Sequence, residues 1–151
     1  MKTVIVGFSH SNNLFSKLIM WATRSRVSHT YIRLDDKTVY QASGLTVNET
    51  TYECFLALET VIKEIGVEVS DEQFVKSEQF RLSTLGKPYS FCEIVGFVWV
   101  LFMKALGKKV VNPFCDGSRG YVCVKVVMDY LGMDDSGENI DPDDLYKTLV
   151  K

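Results

Sequence analysis

Gly120-Tyr121-Val122-Cys123-Val124-Lys125-Val126-Val127 is the stretch on which the reading of this chain turns. A glycine-containing loop, Asp116-Gly117-Ser118-Arg119-Gly120, runs into an amphipathic segment with a thiol in its first turn. Unpaired N–H groups and the positive end of a helix dipole favour thiolate at such a position. The chain holds two histidines to serve as its base. One of them, His29, stands in the strand-like run Val27-Ser28-His29-Thr30-Tyr31-Ile32-Arg33-Leu34. A thiol at a helix start and an imidazole on a strand are the two halves of a cysteine–histidine nucleophilic site. Cysteine is also among the most frequently buried residue types, so Cys123 taken alone reads as core. His29 alone likewise reads as structural.

The rest of the chain frames that pair. With 151 residues it is expected to form a single domain, 1–151, with a full hydrophobic core. Seventeen basic and nineteen acidic residues nearly balance, and no basic stripe points to nucleic acid. The cysteines at 54, 92, 115 and 123 form no Cys-x-x-Cys pair and have no His-x-x-x-His partner. Neither a metal nor another cofactor is therefore expected. Cys115 is the alternative thiol, whereas Cys54 and Cys92 read as core. His10 either lines the same cleft or stands in solvent. The apolar start Thr3–Phe8 is too short for a signal-peptide core, so the chain is expected to be made as a soluble cytoplasmic protein. The apolar run Ile94–Met103 is too short to span a bilayer and reads as a buried helix, with a partner or membrane surface as the alternative cover.

Pattern and capping signals place the remaining elements. Thr3–Phe8 reads as a strand, and Asn13 caps a helix through Leu14, Leu18, Ile19 and Ala22. Val27–Leu34 and Thr38–Ala42 form a hairpin around Asp35-Asp36-Lys37, which Leu45–Val47 extends. Tyr52–Val69 is mixed: helical around Phe55, extended from Val61, with a turn or bulge at Gly66. Ser70 and Gln73 form a capping-box pattern before a helix ending near Gly86. Helices are also expected over Phe91–Leu106, from Cys123 to Leu131, and after the Asp141-Pro142-Asp143-Asp144 start signal. Together these make an α+β domain, an antiparallel sheet packed against helices.

The hairpin carries a geometric test. Alternation puts His29, Tyr31 and Arg33 on one face. A three-residue loop sets Leu34 opposite Thr38, Tyr31 opposite Gln41, and Gln41 diagonal to His29 on that face. Its amide oxygen then reaches an imidazole N–H. A two-residue loop turns Gln41 to the other face.

The segments Ser28-His29-Thr30-Tyr31-Ile32, Val39-Tyr40-Gln41-Ala42, Leu85-Gly86-Lys87-Pro88-Tyr89-Ser90-Phe91, Tyr121-Val122-Cys123 and Asn139-Ile140-Asp141-Pro142-Asp143-Asp144-Leu145 occur in that order. In order and spacing they resemble the circularly permuted NlpC/P60 group of papain-like cysteine hydrolases, in its YiiX/YebB-like branch. The resemblance implies a permuted papain-like fold in which the histidine precedes the cysteine. It implies Cys123 as nucleophile, His29 as base, Gln41 as orienting group, and a polar supporting role for Tyr89. Arg119, beside the thiol, either binds a substrate carboxylate or stands as a surface loop residue. The implied reaction is hydrolysis of an amide or related acyl bond, with peptidoglycan stem peptides the leading substrate and lipid or protein acyl groups the others. Without a secretion signal, an external substrate implies another route, such as host-cell lysis or a dedicated secretion machine, and the compact size and family type suit a phage-encoded protein. Two departures stand out. The third position, commonly acidic in that branch, is the neutral Gln41, and Val124-Lys125 follow the cysteine where a serine and an acidic residue are usual. Together with the apolar segment Ile94–Met103 they motivate an alternative: a catalytically weak or inactive module that binds a peptide, glycan or acyl chain.

Overall fold

A computed structural model of the chain describes residues 1–88, 91–111, 113, 122–133 and 140–150, with the backbone alone at 91–94, 97 and 101. Tyr89, Cys115 and Arg119 lie outside the described residues. The fold is α+β, with six helices and five strands among the described residues. In chain order these are β1 Lys2–Ser11, α1 Leu14–Thr23, β2 His29–Arg33, β3 Thr38–Ser43, β4 Thr46–Thr51, α2 Tyr52–Leu58, β5 Glu59–Val69, α3 Asp71–Thr84, α4 Phe91–Ala105, α5 Cys123–Leu131 and α6 Pro142–Leu149. The strands form one sheet in the order β4-β3-β2-β1-β5, and every neighbouring pair is antiparallel.

The β2–β3 hairpin has the register that a three-residue loop demands. Ile32 pairs with Tyr40 and Arg33 with Val39, while Leu34 N–H donates to Thr38 O at 3.0 Å. Asp35 makes the turn: its Oδ1 accepts from the N–H groups of Lys37 and Thr38, both at 2.7 Å. The carboxylate thus replaces the backbone acceptors that the turn takes away.

One sheet face carries the main core. Val4, Val6, Phe8, Ile32, Tyr40, Ala42 and Val47 pack there with α5, of which Val124, Val126, Val127, Met128, Tyr130 and Leu131 are all buried. Helix α3 holds α5 from outside through Ser77 Oγ on Tyr130 O and Tyr130 OH on Glu78 Oε1 at 2.7 Å. At the end of α5, Gly132 takes a left-handed φ of 67°, where a side chain would also meet Gln73. Helix α6 is capped by Asp141 in a full capping box and sets Tyr146 edge-on to Phe8 at 5.3 Å between ring centres. The opposite face has a smaller cluster of Tyr31, Val39 and Phe55, the last supplied by α2.

Several local expectations need correction. The first strand continues to Ser11, because β5 pairs along its whole length. The irregularity in that ladder lies between Phe8 and Ser9, where Ile62 is skipped, and Gly66 sits regularly opposite Ile5. Ser70 does accept from Gln73 N–H at 3.1 Å, but the Gln73 side chain turns to Ser77 instead of completing the box. Cys54 is exposed rather than core. The α4 segment is not buried throughout: Val95, Trp99 and Phe102 are all exposed.

Gly7 has a reason that packing alone supplies. Tyr31, its partner on β2, lays its ring across the glycine and donates its hydroxyl at 3.0 Å to Glu64, Gly7's partner on β5. A Cβ at position 7 would fall 2.0 Å from Tyr31 Cζ. Gly7→Ala is therefore expected to destabilise the fold by about 1–3 kcal/mol, the usual range for overpacking. Urea unfolding of the variant measures it, with Gly44→Ala, an open loop position, as the comparison for loss of a left-handed glycine alone.

Candidate active site

Helix α5 begins without a polar cap. Its N-cap residue is Val122, whose side chain offers the first-turn N–H groups no acceptor. Those donors are left to the next polar atom in reach, the sulfur of Cys123, which accepts from Val124 N–H. The sulfur also accepts from the backbone N–H of Thr30 on β2. That donor would ordinarily belong to the sheet. Leu34 with Thr38 and Ile32 with Tyr40 alternate along the β2–β3 ladder, and Thr30 with Ala42 would come next. The paired register stops at Ile32–Tyr40, so Cys123 meets an amide that β3 has released.

His29 stands next to that amide and hydrogen-bonds the Cys123 sulfur. On its other side, Nε2 lies 2.7 Å from Gln41 Oε1. An amide oxygen only accepts, so Nε2 carries the hydrogen and Nδ1 is left free to face the sulfur. The ring of Phe55, 6.4 Å away between centres, flanks the imidazole. Cys123, His29 and Gln41 are thus brought together from α5, β2 and β3.

Glu59 is a participant that the sequence did not reveal. It opens β5, pairs across the ladder with Ser11, and accepts a 2.9 Å hydrogen bond from Ser9 Oγ. Ser9 is the β1 partner of His29, which brings the carboxylate close enough for its charge to act on the imidazole. Neighbouring hydroxyls brace the same end of β2: Ser16 of α1 bonds Ser28 at 2.5 Å and accepts from Ser11 N–H at 3.1 Å. His10 is half-buried and its Nδ1 is enclosed without a hydrogen-bond partner among the described residues.

Burial and partnership oppose each other at both groups. Burial pushes the Cys123 thiol up, but the hydrogen bond and positive charge of His29, with the Thr30 and Val124 N–H groups, outweigh it and leave the pKa lowered. Burial likewise pulls His29 down. The hydrogen bond to Cys123 and the charges of Cys123 and Glu59, helped by Gln41, leave it raised. The two shifts act in the same direction, each favouring the charged form of its group, thiolate and imidazolium. Cys123 is 7% exposed and Gln41 8%, while His29 between them is only half-buried, so the sulfur is shielded and the imidazole keeps an edge toward solvent. A separate cleft of about 350 Å³, lined by residues including Arg33, Glu49, Arg81 and Tyr130, contains none of the three.

The fold has a solved counterpart. The metalloprotein YiiX of Escherichia coli O157:H7 aligns with a TM-score of 0.54 and 25% identity, over 96% of this chain and 91% of that one. The fold is YiiX-like. No family model and no curated protein sequence matches the chain. Among the described residues, no group of three or more His, Cys, Asp and Glu side chains is placed to hold a metal ion.

The electrostatics make a measurable difference. The rate of alkylation of Cys123 by iodoacetamide is expected to rise with pH through a midpoint below the ordinary thiol value of about 8.5. In His29→Ala only burial and the two N–H groups remain, and the midpoint is expected to move upward. Glu59→Gln should lower the pKa of His29, so imidazolium, read by NMR of the ring, is lost at lower pH than in the parent.

Proposed function

We propose that this protein is a cysteine hydrolase of the amidase or endopeptidase type, a circularly permuted relative of the NlpC/P60 papain-like enzymes. The observation that carries the reading is one imidazole bonded at once to the Cys123 sulfur and to an acceptor that fixes its tautomer. The match to YiiX in fold supports the branch assignment, and the order of histidine before cysteine supports the permutation.

In this reading Cys123 attacks a carbonyl carbon as thiolate, and the imidazolium of His29 gives its proton to the departing amine. The thioester that results is cleaved by water, from which His29 takes a proton; the acid leaves and the thiol is restored. The N–H of Cys123 itself, in the first turn of α5, is the natural first donor to the oxyanion. Gln41 holds the ring in position through both steps. Peptidoglycan stem peptides are the leading substrate, ahead of other peptide or acyl groups; Tyr89, by the family resemblance, and Arg119, as a cation beside the thiol in sequence, are the candidate substrate-binding residues.

The low exposure of the sulfur favours one alternative, a cleft that binds a peptide, glycan or acyl chain without turnover. The two readings separate on one experiment. Muropeptides are incubated with the parent protein and with variants, and products are identified by mass spectrometry. Hydrolysis predicts no product from Cys123→Ala, a fall of about 10²- to 10⁴-fold in His29→Ala, and a smaller fall in Gln41→Ala. Gln41→Glu should stabilise imidazolium further and extend the active range toward alkaline pH. Binding that persists in Cys123→Ala, with no turnover of muropeptides or acyl esters by the parent, would establish the binding module instead.

A further inference from the structure

Helices α1 and α4 pack against one another, and each turns an apolar stripe to solvent. On α1 the stripe is Leu14, Leu18 and Trp21, exposed by 85%, 39% and 67%. On α4 it is Val95, Trp99 and Phe102, followed by Leu106 just past the helix end, exposed by 42%, 47%, 47% and 59%. Both repeat at intervals of three and four residues, so each forms a continuous line along its helix. Isolated exposed apolar residues are ordinary; two continuous lines on adjoining helices are a surface built to be covered.

The charge on these helices and the segments after them identifies the cover. Lys17, Arg24, Arg26, Lys104, Lys108 and Lys109 are exposed on α1, α4 and the segments just after them, and none has an ion-pair partner among the described residues. Residues 12–28 and 91–111 therefore hold six of the chain's 17 basic residues and one of its 19 acidic ones. The remaining surface is net acidic. A symmetric dimer through this face would set two cationic rims against each other. An anionic lipid surface satisfies both features, taking Trp and Leu side chains at headgroup depth and neutralising the cations.

We propose that the α1–α4 pair seats the protein on the surface of an anionic membrane. It lies on the surface rather than crossing it: among the described residues no helix is long and apolar enough to span. The proposal is independent of whether Cys123 turns over a substrate.

The chain's two tryptophans, Trp21 and Trp99, both stand on these stripes, so fluorescence excited selectively at tryptophan, beyond the absorption of the seven tyrosines, reports this surface. Vesicles of phosphatidylcholine mixed with phosphatidylglycerol are expected to co-sediment the protein and shift its emission to the blue, and high salt to reverse both. The triple variant Lys17→Glu, Lys104→Glu, Lys108→Glu is expected to bind about tenfold or more weakly, with an unchanged circular dichroism spectrum and Tm. Trp99→Ala, still carrying Trp21, should also bind more weakly. Three results would overturn the proposal: no binding to the anionic vesicles, equal binding to phosphatidylcholine alone, or affinity unaffected by charge reversal. A concentration-dependent dimer that shifts the emission without lipid, and no vesicle binding, would assign the face to a second copy instead.

Discussion

The site depends on a single exchange of hydrogen-bond partners. A sheet amide, Thr30 N–H, leaves the β2–β3 ladder and goes to a sulfur, and the first turn of α5 supplies a second donor to the same atom. Buried amides are rarely left unpaired, so an opening in a ladder must be filled by some acceptor. Here the acceptor is Cys123, and the consequence is chemical as well as structural: two N–H groups that favour negative charge converge on a thiol. Had a serine or aspartate stood at Val122, its side chain would have taken a first-turn amide, as Asn13, Thr51, Ser70 and Asp141 do at their own helices. Only Asp141 among these also takes the second helical N–H, the position that Val124 holds in α5; with valine at the cap no such competitor exists.

The rest of the framework serves to hold that opening in place. Helix α5 is almost wholly buried between the sheet and α3, so its first turn has no freedom to drift from β2. The other end of the hairpin is pinned by the Asp35 turn and by Arg33, which meets Glu64 at 2.9 Å and lies over the Tyr52 ring. Glu64 in turn receives the Tyr31 hydroxyl across Gly7. One acidic residue on β5 thus ties down β2 from the side opposite α5. The strand that carries His29 is fixed on both faces, while its start is braced by the Ser16–Ser28 pair.

What the sequence made legible was whatever is encoded locally. Loop length alone determined that Gln41 would share a face with His29, because side chains alternate with period two and a one-residue change inverts the face. Caps at Asn13, Ser70 and Asp141 and the glycine at 132 marked helix boundaries for similarly local reasons. Apart from the Gln73 side chain, which turns to Ser77 in its own helix, the misses depend on distant partners. The full length of β1 required β5, Glu59 required the register of that same pairing, and the skipped Ile62 displaced the irregularity from the glycine that invited it. Cys54 and the α4 stripe look like core by composition, yet nothing in a linear reading states whether another layer covers them. Glu59 had one faint local signal: an acidic residue at the change from helical to extended pattern, two positions before the strand's first apolar residue, Val61.

The neutrality of Gln41 follows from this crowding. A third residue in such a site has to hold the imidazole tautomer, and an amide oxygen does so with one 2.7 Å contact. Position 41 is 8% exposed and flanked by Val39 and Tyr40, both fully buried. A carboxylate there would lose its hydration, and its charge would be compensated only when His29 is protonated. Glu59 already provides negative charge nearby from a position that is only half-buried and bonded to Ser9. Orientation and charge compensation, which one buried carboxylate performs in an acidic triad, are divided here between two residues on opposite sides of β2. The division limits how much the imidazolium is stabilised. It also keeps the site stable when the thiol is protonated, because no second buried charge is then left without a partner.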